Sequence, residues 1–177
     1  MRNLLLFLPT LLALGQVQAA KPHALFVVGT HHYSPHETMP ALASQLDALG
    51  WKTSVLNPGY NPEKNSKGIA GLELLQEADV AIFYTRFLTL PPDQFRLIRL
   101  YLEAGKPVVG FRTSTHAFDY PKDNSLTKWN NGFGSDALGS QYFAHLQGDT
   151  SVTLAKGAGD HPILTGINLA EPIAAAG

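Results

Sequence analysis

The chain has 177 residues, of which 45% are hydrophobic and 15% are charged, and it contains no cysteine. This apolar content supports the core of one domain and excludes wholesale disorder. The 13 basic and 14 acidic residues nearly balance, so a broad basic surface for nucleic acid or an anionic membrane is not expected. Without cysteine, the chain has no disulfide, thiolate metal site or cysteine nucleophile.

Residues 1–19 are predicted to be a secretory signal peptide. Arg2 precedes the apolar run Leu4–Leu14, and Ala19 ends a segment suited to cleavage. The alternative is a membrane anchor, but this run would span only about 16 Å as a helix, against a bilayer core of roughly 30 Å. We therefore expect a periplasmic or secreted protein, without membrane contact after cleavage, with one domain over residues 20–177.

Predicted strands and helices alternate along the following segment. Four short segments, at residues 24–29, 52–56, 79–84 and 106–111, are predicted to be strands. The first is a continuous apolar run, which is typical of a strand buried on both faces of a parallel sheet. The first helix is predicted to begin at a capping box formed by Ser34 and Glu37 and to end at Gly50. Its apolar face would contain Met39, Leu42, Leu46 and Leu49.

Two further helices are predicted between the later strands. A weaker one includes Ile69, Leu72 and Leu75, and a stronger one follows Pro91 and Pro92. This alternation predicts a single-domain α/β fold with an open parallel sheet. Residues 119–148 are predicted to form an irregular insertion with one short helix, and residues 151–154 a further strand.

Polar residues follow three of the predicted strands, where open α/β sheets bind their ligands. The candidates, in chain order, are His31 and His32, then Tyr84 and Arg86, then Arg112, Thr113, Ser114 and His116. Imidazole, guanidinium and hydroxyl groups would then line one cleft. The alternative is that these residues cap helices or fasten loops, as polar residues after strands often do.

Several familiar chemistries have weak sequence support. The turn at Gly110–Ser114 lacks the second glycine of a Gly-x-Ser-x-Gly elbow, and Arg112 occupies the nucleophile position. No loop has the glycines of a phosphate-binding motif. The histidine spacing is not diagnostic of a metal site, so we assign no metal ligand, and the sequence identifies no cofactor. Aromatic residues among amides and carboxylates, Trp129 foremost, indicate either a sugar site or packing onto the sheet.

Four segments resemble the ThuA-like (trehalose-utilisation) family. They are residues 106–118 (KPVVGFRTSTHAF), 27–37 (VVGTHHYSPHE), 139–145 (GSQYFAH) and 160–167 (DHPILTGI). The resemblance implies a flavodoxin-like fold of the class I glutamine amidotransferase-like superfamily and a role in carbohydrate utilisation. Amidotransferase activity is not expected, because Arg112 stands where that superfamily has its cysteine. Family members usually continue beyond the last segment with further strand and loop, so the resemblance implies either a natural short form or a truncated C-terminus.

These observations together predict a secreted domain that binds or processes a sugar or sugar derivative. The predicted catalytic residues are His31, His32, Arg112 and His116. The predicted substrate-binding residues are Tyr84, Arg86, Thr113, Ser114, Trp129 and His145. Two alternatives remain, a non-catalytic interaction module on the same fold and a metal-dependent hydrolase. The expected partner is a sugar-like small molecule, and the oligomeric state, including a homo-oligomer, is left open.

Overall fold

A computed structural model describes residues 19–145, 148–168 and 171–176. The predicted signal peptide, apart from Ala19, lies outside these described residues. Within them, no helix has both the length and the apolar character needed to cross a membrane.

The main sheet has four parallel strands in the spatial order β2-β1-β3-β4. Their bounds are β1 His23–Gly29, β2 Lys52–Leu56, β3 Val80–Thr85 and β4 Val108–Gly110. This order is that of the first four strands of a flavodoxin-like sheet, whose switch point lies between β1 and β3. The predicted flavodoxin-like open sheet is confirmed. Each of the four strands lies at one of the four segments predicted to be strands.

Three α-helices accompany the sheet: α1 Pro35–Ala48, α2 Pro92–Glu103 and α3 Trp129–Ala137. Short 3₁₀ turns occur at Leu72–Gln76, Arg112–His116 and Pro162–Leu164. The first of these replaces the weak helix predicted around Ile69. Gly68 and Gly71 have φ angles of 82° and 89°, outside the right-handed helical region, so only one short turn forms.

The sheet separates two apolar cores, because successive side chains of a strand point to opposite faces. Leu25 and Val27 of β1 face a core that contains Phe95 of α2 and Phe133 of α3. On the other face, Phe26 lies in a core with the buried α1 residues Met39 and Ala43. The helices therefore cover both faces, as predicted, and the whole of β1 is buried.

Two details of α1 differ from the sequence-based expectation. Ser34 makes no side-chain cap hydrogen bond, so the predicted capping box is wrong. Its φ of 53° is left-handed, whereas a side-chain N-cap needs an extended backbone. Leu49 is 76% exposed, because the helix ends at Ala48 and Leu49 falls beyond the buried face. Gly50, with φ of 92°, follows the helix as predicted.

The C-terminal segment forms a second, small sheet. β5 (Asp149–Val152) pairs antiparallel with β6 (Ile173–Ala176), with Asp149 opposite Ala176. The predicted strand at residues 151–154 thus begins two residues earlier and belongs to a two-stranded sheet separate from the parallel sheet. The helix predicted within residues 119–148 is α3, which packs Phe133 against Phe83 of β3, with ring centroids 5.2 Å apart.

Candidate functional site

A cleft of about 640 Å³ lies at the carboxyl ends of the parallel strands. Loops following β1, β3 and β4 form its walls, and the segment after α3 contributes one further side. Six of the ten predicted site residues line it: His32, Arg86, Arg112, Thr113, His116 and His145. The sequence analysis did not assign six others: Tyr33, Phe87, Thr115, Tyr142, Ala144 and Thr150. The cleft therefore occupies the place that a flavodoxin-like sheet gives to a ligand.

The turn after β4 is fastened to β3 by side-chain hydroxyl groups. Ser114 is buried, and its hydroxyl donates to the Phe83 carbonyl at 2.9 Å and accepts from the Thr85 amide at 3.2 Å. The Thr113 hydroxyl donates to the Thr85 carbonyl at 2.9 Å. Ser114 was predicted to bind substrate, but the structure places it beneath the cleft floor. These bonds hold Arg112 and His116 at fixed positions on the same short turn.

Strained backbone is concentrated around the cleft. Tyr33, Phe87 and Arg112 line the cleft and have φ angles of 66°, 49° and 38°. A left-handed conformation costs a non-glycine residue roughly 1–2 kcal/mol. Ser34 and Lys64, the other described non-glycine residues with positive φ, lie in loops next to the cleft-forming residues. Clustered strain of this kind is found at active sites and ligand clamps.

His116 lies between two aromatic rings in the cleft. Its ring centroid is 5.2 Å from that of Phe87 and 4.3 Å from that of Tyr142. Its Nδ1 is buried and has no hydrogen-bond partner among the described residues. Burial, and then the positive charge of Arg86, lower the pKa of His116 below its ordinary value of 6.5. The imidazole is therefore neutral at neutral pH and able to accept a proton.

The wall opposite the turn is formed by the segment after α3. The Tyr142 hydroxyl and His145 Nδ1 share a hydrogen bond of 2.8 Å. Both side chains belong to a segment that the resemblance singled out, although only His145 was predicted to contact substrate. This pair places a phenol and an imidazole beside His116.

Arg86 is held by an acidic residue that sequence analysis missed. Its Nη1 donates to Glu63 Oε1 in a close ion pair, and Glu63 Oε2 accepts a 2.9 Å hydrogen bond from the Thr30 hydroxyl. The Glu63 side chain is only 14% exposed. Glu63 lies in the polar loop after β2, 23 residues before Arg86, and no local pattern relates the two.

His31 and His32 belong to a turn, which the Ser34 amide closes by donating to the His31 carbonyl at 2.9 Å, and their side chains point in different directions. His32 lines the cleft, whereas the His31 ring stacks on His36 of α1 at a centroid distance of 3.9 Å. Burial, and then proximity to His36, lower the pKa of His31. His31 is therefore outside the cleft, and of the two adjacent histidines only His32 is placed to contact a ligand.

Tyr84 and Trp129 also lie outside the cleft. Tyr84 is buried in the core beneath α1, and its ring stacks against Phe111 with centroids 6.1 Å apart. Trp129 packs on Phe95 of the opposite core, with centroids 5.1 Å apart. Trp129 thus packs onto the core beside the sheet and does not contribute to a sugar site. Of the aromatic residues in the insertion, Tyr142 lines the cleft.

Within the described part of the chain, no three histidine, aspartate or glutamate side chains lie close enough together to hold a metal ion. Comparisons with family models, curated proteins and solved structures found no match for this chain. The fold is assigned from its strand order and connections. The ThuA-like resemblance depends on the four sequence segments alone.

Proposed function

We propose that this protein is a ThuA-like domain that binds a sugar or sugar derivative in the cleft. The observation that supports the proposal best is that loops from three strand ends bring His32, Arg86, Arg112 and His116 into one cavity. Its volume of about 640 Å³ is in the range that holds a small-molecule ligand.

The chemistry of the lining suits a sugar. Tyr33, Phe87 and Tyr142 provide rings on which the apolar face of a pyranose can pack. The Thr115 hydroxyl group and the ring nitrogens of the lining histidines provide donors and acceptors for sugar hydroxyls. A mixed lining of this kind orients a polar ligand more precisely than an apolar cavity would.

For a chemical step, His116 is the side chain best placed to accept a proton. It is neutral at neutral pH, and its two neighbouring rings restrict its position. Amidotransferase chemistry is not part of the proposal, since the chain has no cysteine and Arg112 occupies the turn after β4.

The site proposal is tested by calorimetric titration with a panel of monosaccharides, disaccharides and oxidised sugars. We expect a saturable signal for at least one sugar, and its loss in Arg112→Ala. Arg99→Ala is the matched control, because Arg99 lies on α2 outside the cleft, in an exposed pair with Glu103. If the wild-type protein gives no heat with any sugar and Arg112→Ala leaves the melting curve unchanged, the proposal is wrong.

We also propose that the chain is exported and cleaved after Ala19, leaving the domain at residues 20–177. The support is the sequence pattern of residues 1–19, with its basic start and apolar run. Expression in a bacterial host followed by fractionation and mass measurement tests this. An intact N-terminus in the cytoplasmic fraction would contradict it.

A non-catalytic interaction module is the second candidate, and one observation favours it. Large apolar side chains of the C-terminal segment are exposed beside one another, including Val152 at 54% and Ile163 at 75%. Exposed apolar side chains in one region are typical of an interaction surface. Light scattering over a range of protein concentrations distinguishes self-association through this region from a monomer with a ligand cleft.

A further inference from the structure

Both arginines of the cleft lie over aromatic rings. The Arg86 Cζ is 4.2 Å from the centroid of the Phe87 ring, and the Arg112 Cζ is 3.8 Å from that of the Tyr33 ring. We call Arg86 and Arg112 the arginine pair. They follow neighbouring parallel strands, since β3 pairs with β4 and Phe83 lies opposite Gly110. The pair therefore approaches the cleft from adjacent strand ends.

A ring beneath a guanidinium attracts its charge and restricts its movement. The N–H groups of a guanidinium lie in its plane, in a fork that matches the two oxygens of a carboxylate or phosphate. Arg86 is fixed further by Glu63, which contacts only Nη1 among its three nitrogens. The backing rings are presented by Tyr33 and Phe87, both of which have a left-handed backbone.

The charges around the cleft favour an anion. Among the described residues that line it there is no aspartate or glutamate, while two are arginines and three are histidines. Glu63 lies behind Arg86 and offsets one of the two guanidinium charges. Among the described lining residues, the charged side chains are therefore all cationic.

We infer that the ligand of this cleft is an oxyanion-bearing sugar derivative, whose carboxylate or phosphate group is bound by the arginine pair. This inference rests on the proposed function, because it specifies the class of sugar that the same cleft takes. The aromatic and hydroxyl groups contact the sugar ring, and the arginine pair determines specificity for the charged substituent.

The test compares sugars that differ in one substituent. D-Glucose and D-glucuronate have the same ring, but glucose has a hydroxymethyl group where glucuronate has a carboxylate. Glucose 6-phosphate has a phosphate group on that same carbon and tests phosphate binding. D-Galactose and D-galacturonate form a second pair. We expect at least one anionic sugar to bind about tenfold or more tightly than its neutral partner, since hydrogen bonds to charged groups are the stronger ones. Raising the ionic strength to about 0.15 M should reduce this preference.

Substitutions at Arg112 test whether the arginine pair causes the preference for the anionic sugar. Arg112→Gln should remove the preference, so that the anionic and the neutral sugar of each pair bind with similar affinity. Arg112→Lys, which retains the charge without the planar fork, should restore part of it. Arg99→Gln, which removes an equal charge on α2, should behave as the wild type.

The outcomes separate this inference from the proposed function. Equal affinity for neutral and anionic sugars would overturn the inference and support the proposed function. Binding of acetate or inorganic phosphate without binding of any sugar would overturn the proposed function and, with it, the sugar derivative inferred here. Whichever of glucuronate and glucose 6-phosphate binds more tightly identifies the anionic group. If none of these compounds binds, the inference is wrong, and the wider titration panel described above decides the proposed function.

Discussion

At Gly134, α3 packs closely against two backbone segments next to the cleft. A Cβ added there would lie 2.6 Å from the carbonyl oxygen of Thr115 and 2.7 Å from that of Ser140. Thr115 lines the cleft from the turn after β4, and Ser140 precedes the segment that carries Tyr142. Both obstacles are backbone atoms, which cannot rotate away as a side chain can. Gly134→Ala must therefore separate α3 from two walls of the cleft.

The same helix contains a control. A Cβ at Gly132 would meet its nearest atom, Trp129 Cε3, at 3.8 Å, which is ordinary van der Waals contact. Gly132→Ala should therefore stabilise the helix by about 0.5–1 kcal/mol through reduced backbone freedom in the unfolded chain. Gly134→Ala gains the same amount from the helix but incurs overpacking, which costs about 1–3 kcal/mol and more where backbone must move.

Urea denaturation of the two variants measures this difference directly. We expect Gly132→Ala to unfold at a higher urea concentration than the wild type and Gly134→Ala at a lower one, with similar m-values. Because the displaced atoms belong to the cleft walls, Gly134→Ala should also weaken sugar binding. If Gly134→Ala proves as stable as Gly132→Ala, the close approach does not exist in solution and the reasoning fails.

Three further predictions concern individual side chains. Arg112→Gly should be more stable than Arg112→Ala by about 1 kcal/mol, because only glycine relieves the left-handed strain, and equal thermal midpoints would contradict this. Ser114→Ala should lower the free energy of unfolding by about 1–3 kcal/mol, since it leaves the buried Thr85 amide without this partner, and urea denaturation measures the loss. Burial lowers the pKa of His23 below 6.5, so on acidification the unfolded chain binds this proton before the folded one does. The free energy of unfolding should therefore fall as the pH drops below 6.5. Thermal melts at pH 7 and pH 5 should show a smaller fall in the melting temperature for His23→Gln than for the wild type.

The fold was predictable because its signals are local. The central strands β1 and β3 are apolar runs bounded by polar or turn residues, and α2 begins at a proline pair. Errors occurred where a backbone conformation decided the outcome. The left-handed conformations of Ser34 and Gly71 remove the capping box and shorten the predicted helix to a 3₁₀ turn, and nothing in the residue types alone requires them.

The site was predictable only in part, since strand ends identify loops but not side-chain directions. Alternation along β3 would have placed Tyr84 correctly: it follows Phe83, which faces the α2 side, and so must face α1. Glu63 could not have been found in this way. Its contact with Arg86 joins a long polar loop to a strand end, and the sequence between them carries no periodic signal.

The strained residues connect stability to the proposed site. Left-handed backbone at Tyr33, Phe87 and Arg112 costs roughly 1–2 kcal/mol at each position, against a total stability of about 5–15 kcal/mol for a typical domain. Glycine would adopt these conformations without that cost, but it would remove the two rings and one of the guanidinium groups that they pair with. Three of the four side chains in the arginine–aromatic contacts thus belong to residues with a left-handed backbone. Stability is reduced at three points of one cleft to retain these side chains, which is the pattern expected when ligand recognition, and not packing, determines the residue.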